Sequence, residues 1–301
     1  MRLEKKAHAW LGGGCAVLLA GLAQAQQGDK ALLPSVVVTA SMSEQGRLAS
    51  PAFTTVITAE DIAKSPANSI PDLLRDAAGV NNQTNANGRD EIQVRGLDGR
   101  YTLILVDGKR VSSAGALWRG SDFDLSTVPL SGIERIEIVR GPMSALYGSD
   151  AMGGVVNIIT KRPGKDWHGT VGADYRVVTS GEAGKQHRVQ ASARGALSDS
   201  VSLSIAGEVY DRDAWFVRSA SDPKEVAGLE AKRSVNAVST LSVKVDPQQT
   251  VDVDLGYSHD KRPYALDSYA YYPAWNFESF SYSQQEISRK SLALTHSGAW
   301  G

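Results

Sequence analysis

Arginines and carboxylates with the reach to make ion pairs sit close together in one stretch of this 301-residue chain: Arg95, Glu134, Arg135, Glu137 and Arg140. Such side chains bind anions or pair with one another, and none of them lies in a pattern that performs catalysis. No phosphate-cradling G-x-x-x-x-G-K-[ST] loop, G-x-S-x-G elbow or H-E-x-x-H pair occurs. The five histidines are scattered, which leaves no metal cluster to read and no bound cofactor to expect. Cys15 is the single cysteine, so disulfide and thiolate chemistry are excluded once its segment is removed. A formal net charge of −1 argues against nucleic acid, which favours a strongly basic face. The chain therefore reads as a binding or transport protein and not as an enzyme.

The elements that position these residues follow from punctuation and period. Residues 1–25 read as a signal peptide: Arg2, Lys5 and Lys6 precede an apolar run, and Ala23-Gln24-Ala25 is a small-x-small cleavage site. That run is shorter than the ~20 apolar residues a spanning helix needs. Residues 26–50 form a polar leader containing Val36-Val37-Val38-Thr39-Ala40. Residues 51–162 read as mixed α/β. Strands are expected at Phe53 to Thr58, Tyr101 to Val106, Lys109 to Ser112, Ile133 to Arg140 and Val155 to Thr160. A helix is expected over Asp72 to Ala78, and a helical turn at Ser144 to Tyr147. Asp107-Gly108 is a hairpin signal.

Beyond Pro163-Gly164 the pattern changes to strict alternation. Val171, Ala173, Tyr175 and Val177 alternate with Thr170, Asp174 and Arg176, and Val201, Leu203, Ile205 and Val209 alternate with Ser202, Ser204 and Glu208. Val251, Val253, Leu255 and Tyr257 repeat it. Period two over ~10 residues suits membrane-spanning barrel strands, and a soluble sandwich alternates in the same way. Loop lengths separate the two. Short turns at Ser198-Asp199-Ser200 and 246–249 alternate with long connections at about 178–186, 212–231 and 260–284, which is the sorting a barrel imposes on its two rims.

Ordered motifs then carry a resemblance. Ile70-Pro-Asp-Leu-Leu, Gln93-Val-Arg-Gly, Leu105-Val-Asp-Gly, Ile133-Glu-Arg-Ile-Glu-Ile-Val-Arg-Gly-Pro, Leu146-Tyr-Gly-Ser-Asp-Ala-Met-Gly-Gly and Val156-Asn-Ile-Ile-Thr-Lys occur in this order. Together they resemble the plug of TonB-dependent outer-membrane receptors, in detail those for ferric catecholate siderophores and the colicin I receptor. The resemblance implies an α+β plug domain, with a mixed sheet and short helices, followed over 163–301 by the first strands, about six, of a transmembrane antiparallel β-barrel in a Gram-negative outer membrane. It implies energised uptake of a ferric siderophore as transported ligand, with haem or cobalamin as alternatives. The implied partners are TonB with the ExbB-ExbD complex, colicins and outer-membrane lipid.

Residue by residue, the resemblance makes Val36, Val37, Val38, Thr39 and Ala40 a TonB box, an extended segment that adds a strand to TonB. It places plug apices near 81–89 and 112–122, so Arg89, Trp118 and Arg119 become ligand-binding candidates for a large aromatic anion. It makes Arg95 and Arg140 plug–barrel interface residues that pair with barrel glutamates, and strand parity offers Glu208 as a partner. The charged plug surface, Glu134 and Glu137 included, is expected to face a wet lumen. Six strands leave two unpaired edges, a costly state in lipid. The further expectation is a truncated product or partial sequence that does not insert as a stable monomer.

Overall fold

The structure is a computed structural model, and it describes residues 36–37, 45–46, 53–84, 90–111, 122–177, 179, 184–218, 226–229 and 231–298. The expected signal peptide, most of the leader, and residues 85–89 and 112–121 of the expected apices lie outside the described residues.

β1 (Val36–Val37) and β2 (Gln45–Gly46) form a two-stranded antiparallel pair. β3 (Phe53–Thr58) leads into α1 (Ala59–Lys64), whose start is fixed by a reciprocal capping box between Thr58 and Asp61. α2 (Ile70–Arg75) begins two residues before the expected Asp72, because the Ser69 hydroxyl accepts the Asp72 amide and caps the turn. It ends at Arg75, three residues before Ala78, where the Ala77 amide closes a tighter turn on Leu74. β4 (Val80–Thr84) and β5 (Asp90–Val94) make a hairpin. β6 (Thr102–Val106) and β7 (Lys109–Arg110) are joined through Asp107 and Gly108, both at positive φ, as a two-residue primed turn requires. α3 (Asp122–Leu125), β8 (Ile133–Arg140), α4 (Ser144–Tyr147) and β9 (Gly154–Thr160) follow.

These strands form a five-stranded sheet in the order β3-β8-β9-β6-β7, with β6 and β9 parallel and the other neighbours antiparallel. Both faces of its centre are covered. Ile92, Ile104, Ile136, Ile138, Val156 and Ile158 pack with Leu73 and Leu74 of α2 on one side. Leu103, Leu105, Val139 and Val155 pack with Met143 and Ala151 on the other. Double coverage explains why β6 reads as a continuous apolar run.

The second sheet has six strands: β10 (His168–Arg176), β11 (Gln186–Ala196), β12 (Val201–Arg212), β15 (Lys232–Asp246), β16 (Gln249–Tyr272) and β17 (Phe277–Gly298). They pair antiparallel in chain order. Between β12 and β15, β13 (Trp215–Arg218) and β14 (Val226–Leu229) form a separate hairpin inside the long connection expected at 212–231. The expected loop at 260–284 is corrected. β16 and β17 stay paired from Gln249↔Gly298 to Tyr272↔Phe277, with register shifts at 262–265 and 266–268 and a turn at Pro273–Trp275. Pro263 breaks the alternation that marks a half-buried strand, yet extended pairing resumes beyond the irregularity, so the segment is a long hairpin.

This sheet is apolar outside and polar inside. Val171, Val189, Ile205, Val209, Leu255, Leu292 and Leu294 are exposed. On the opposite face Arg188, Ser204, Ser234, Asn236, Thr240, Ser258, Asp260 and Arg262 are buried. Among the described residues no helix is long and apolar enough to cross a membrane, which says nothing of strands.

Candidate functional site: the seam between plug and sheet

The polar face of the six-stranded sheet is turned to the plug, and the seam between them is built from side chains of both. At its closest point the plug backbone touches the sheet: a Cβ placed on Gly132 would come within 2.8 Å of the Ala206 Cβ, so only glycine fits there. Around this point the contacts are polar. The Ser131 amide donates to Gln190 Oε1 at 3.2 Å, and Ser204 Oγ donates to the Lys161 carbonyl at 2.7 Å. Burial and the nearby Arg194 guanidinium depress the Lys161 ammonium pKa.

Glu208 lies on this face of β12, its side chain 8% exposed. Its carboxylate is 3.1 Å from Arg188 Nε on the neighbouring strand, and it faces the Leu130 amide of the plug. Arg188 in turn stacks over the Tyr210 ring at 5.0 Å and donates through Nη2 to the Asn68 carbonyl, while Arg176 Nη2 donates to the Pro66 carbonyl at 2.9 Å. Two sheet arginines thus grip the plug main chain just before α2. Arg188 was not singled out from the sequence. Its even-numbered position on a strand joined to β12 by a short turn was the available signal, since parity puts it on the face of Glu208.

The expected pairing of Arg95 and Arg140 with Glu208 is therefore replaced by Arg188–Glu208. Arg140 Nη1 donates to the Ala78 carbonyl, within the plug. Arg95 occupies a positive φ of 57° in the turn after β5, where its amide donates to the Gly79 carbonyl. A Cβ placed on Gly141 would lie 3.6 Å from Arg95 Nη1, so the two arginines share one edge of the plug. Glu137 is a second correction. It is fully buried inside the plug, 2.7 Å from Arg135 Nε, because β8 is an interior strand covered on both faces. Glu134 does reach the seam and meets Arg194 Nη1 at 3.4 Å.

Beside a small cavity of about 130 Å³ next to Gly132 and Lys161, two cavities open along the described seam. One, of about 410 Å³, lies between the start of α2 with Asp90 and the ends of β10–β12, β15 and β16; Arg75, Arg176, Arg188, Arg212, Lys232 and Arg262 line it. The other, of about 290 Å³, lies between the β6–β7 hairpin and β15–β17. The ligand-binding candidates Arg89, Trp118 and Arg119 lie outside the described residues, as do Val38, Thr39 and Ala40 of the expected TonB box. Val36 and Val37 are described as strand β1.

Comparison with known proteins agrees with this architecture. Residues 47–155 match the family described as "TonB-dependent Receptor Plug Domain". The chain is 35% identical over 265 residues to the ferric enterobactin receptor PirA of Pseudomonas aeruginosa, covering 81% of this chain and 36% of the relative. It is 34% identical over 313 residues to the ferrienterobactin receptor of Escherichia coli, covering 93% of this chain and 40% of the relative. A crystal structure of the ferric enterobactin receptor of Pseudomonas aeruginosa superimposes with a TM-score of 0.71 at 31% identity, over 88% of this chain and 40% of that one. The siderophore receptor PirA of Acinetobacter baumannii gives a TM-score of 0.69 at 31% identity, over 82% and 38%. The chain thus spans about 40% or less of the length of these relatives.

Proposed function

Because this chain belongs to the TonB-dependent receptor family, we propose that it forms the plug and adjoining strands of an outer-membrane receptor that takes up a ferric catecholate siderophore. The observation that carries this reading is the inside-out six-stranded sheet, apolar on the outside, with its charged face closed over a separately cored plug. A transmembrane strand needs that arrangement, because lipid takes the apolar face and a wet interior takes the polar one.

The plug fills the interior, so passage of a ligand requires the seam to yield. Both cavities border that seam, and in the 410 Å³ one six cations outnumber the carboxylates Asp72, Asp90, Glu208 and Asp213, an excess that suits an anionic ferric catecholate. Names of the relatives support enterobactin-type ligands over haem or cobalamin. Arg89, Trp118 and Arg119 remain the proposed outer contacts, by charge and aromatic stacking. Residues 36–40 serve as the segment offered to TonB, energised through ExbB-ExbD, and their β-branched residues suit strand addition. The domain bounds proposed are 1–25 for the signal, 26–50 for the leader, 51–162 for the plug and 163–301 for barrel strands. A role as colicin receptor belongs to the same proposal.

The test is Val38→Pro in the full-length protein. Proline removes an amide and interrupts an added strand. Surface binding of ferric enterobactin should persist while its uptake is lost. Uptake at the unaltered rate would overturn the TonB-box reading, and absent binding by the parent protein would overturn the catecholate reading.

A further inference from the structure

Asp252 and Asp254 stand two apart on β16, so both side chains leave the same face, the one turned to the plug. Each is first held by a hydroxyl from its direct partner on β15. Thr240 Oγ1 donates to Asp254 Oδ1 at 2.7 Å, and Ser242 Oγ donates to Asp252. Two plug cations then approach from two different places. Lys109 of β7 donates to Asp254 Oδ2, and Arg162, just past β9, sits 3.2 Å from Asp254 Oδ1 and 3.5 Å from Asp252 Oδ2.

Those two plug segments are themselves tied together. Arg162 Nη2 lies 3.7 Å from Asp107 Oδ1. The Asp107 carboxylate accepts from the Thr160 amide at 2.9 Å and from its hydroxyl at 2.8 Å, and Asn157 Oδ1 accepts the Gly108 amide at 3.1 Å. The β6–β7 turn and the end of β9 therefore move as one piece, and that piece is what the aspartates hold. Asp254 and Asp252 are 16% and 21% exposed while Arg162 is 41% exposed, so salt screens these pairs in part.

We infer that Asp252 and Asp254 are positioning residues for gated uptake: an anchor that keeps the β6–β7 turn and the end of β9 registered on the sheet while other parts of the seam open. The inference rests on the proposed receptor function. Sliding this part of the plug along β16 requires both cations to leave together. The hydroxyls of Thr240 and Ser242 keep the carboxylates aimed, so the cations return to the same register.

The experiment uses the full-length protein in the outer membrane, with entry of vancomycin into cells as a readout that needs neither siderophore nor energised transport. Asp252→Asn with Asp254→Asn should raise vancomycin sensitivity about tenfold, in keeping with the coupling of interacting ion pairs. Its amount in the outer membrane should match the parent. Asp252→Glu with Asp254→Glu, which keeps two carboxylates facing Lys109 and Arg162, should hold most of the barrier. An intact barrier in the double asparagine variant would overturn the anchor. So would an equal leak in the double glutamate variant, since that pattern signals lost packing and not a charge contact. Failure of the parent to bind ferric enterobactin would sink the receptor reading while leaving the vancomycin result standing.

Discussion

Leu74, Ile92, Ile136 and Ile138 are fully buried against one another inside the plug, whereas the plug meets the sheet through Lys109, Arg162, Arg188, Arg194 and Arg289. The two regions are held by different physics. Inside the plug, close-packed apolar side chains gain from leaving water and lose sharply when any one is cut back. Along the seam, Lys109, Arg162, Arg188, Arg194 and Arg289 each keep a partner of the other sign, and cavities of about 410 Å³ and 290 Å³ leave room for water to replace a contact. A dry joint resists separation at every point. A wet joint exchanges one hydrogen bond for another at small net cost. In the proposed receptor that difference lets the plug shift against its wall and remain folded, as a gate requires.

One part of the seam tests the contrast most severely, because it is as buried as the core. Arg188 and Glu208 are 6% and 8% exposed. Arg188→Met leaves a buried carboxylate without its cation and should destabilise the plug–sheet joint by about 3–5 kcal/mol. Replacing both, as Arg188→Met with Glu208→Met, should recover most of that loss. Thermal unfolding of the purified receptor reads both variants. Equal losses for single and double replacement would make this pair a packing site and not an ion pair.

Leu74→Ala addresses the dry side. Cutting a fully buried leucine from the plug core should cost about 2–5 kcal/mol, and the loss should be nearly the same at low and high salt. Arg162→Gln addresses the wet side. Its contacts to Asp252 and Asp254 are partly exposed, so the loss should be about 1 kcal/mol and should shrink at 1 M salt, where the Debye length falls to ~3 Å. Salt dependence in the first, or its absence in the second, would erase the distinction between the regions.

The smallest effect concerns the plug's periphery. Asp61 is held below the ordinary carboxylate pKa of 3.8 by the Thr58 amide and hydroxyl that bond it. A depressed carboxylate stabilises the fold above its unfolded pKa, and that contribution fades as pH falls through the lower folded value. Thr58→Ala should therefore cost about 1 kcal/mol near neutral pH, and its difference from the parent should narrow below pH ~4. Amide exchange of α1 across that range checks it.

Local chemistry made much of the plug legible. Ile133 to Arg140 has the β-branched content of a strand, and Asp107-Gly108 demands a primed turn; both stand where the sequence puts them. Tertiary coverage was not legible. Glu137 alternates with apolar neighbours as a solvent-facing residue does, yet β8 lies between β3 and β9 and is covered on both sides. The length of the β16–β17 hairpin was hidden for a related reason. Pairing of extended backbone continues past Pro263 without the apolar alternation that announces a half-buried strand. At the seam, parity put Glu208 on the inner face, but the choice of Arg188 as its partner depends on cross-strand register that a single strand does not encode.

The central claim is that the plug keeps its dry core while the wet seam yields. Hydrogen–deuterium exchange of the full-length receptor, with ferric enterobactin bound and TonB supplied with energy, measures it directly. The account predicts that amides of β8 and β9 stay protected during uptake while exchange rises at residues 67–69, where Arg176 and Arg188 grip the plug backbone. Loss of protection in β8 and β9 at the rate of uptake would contradict it, because passage would then proceed through unfolding of the plug core.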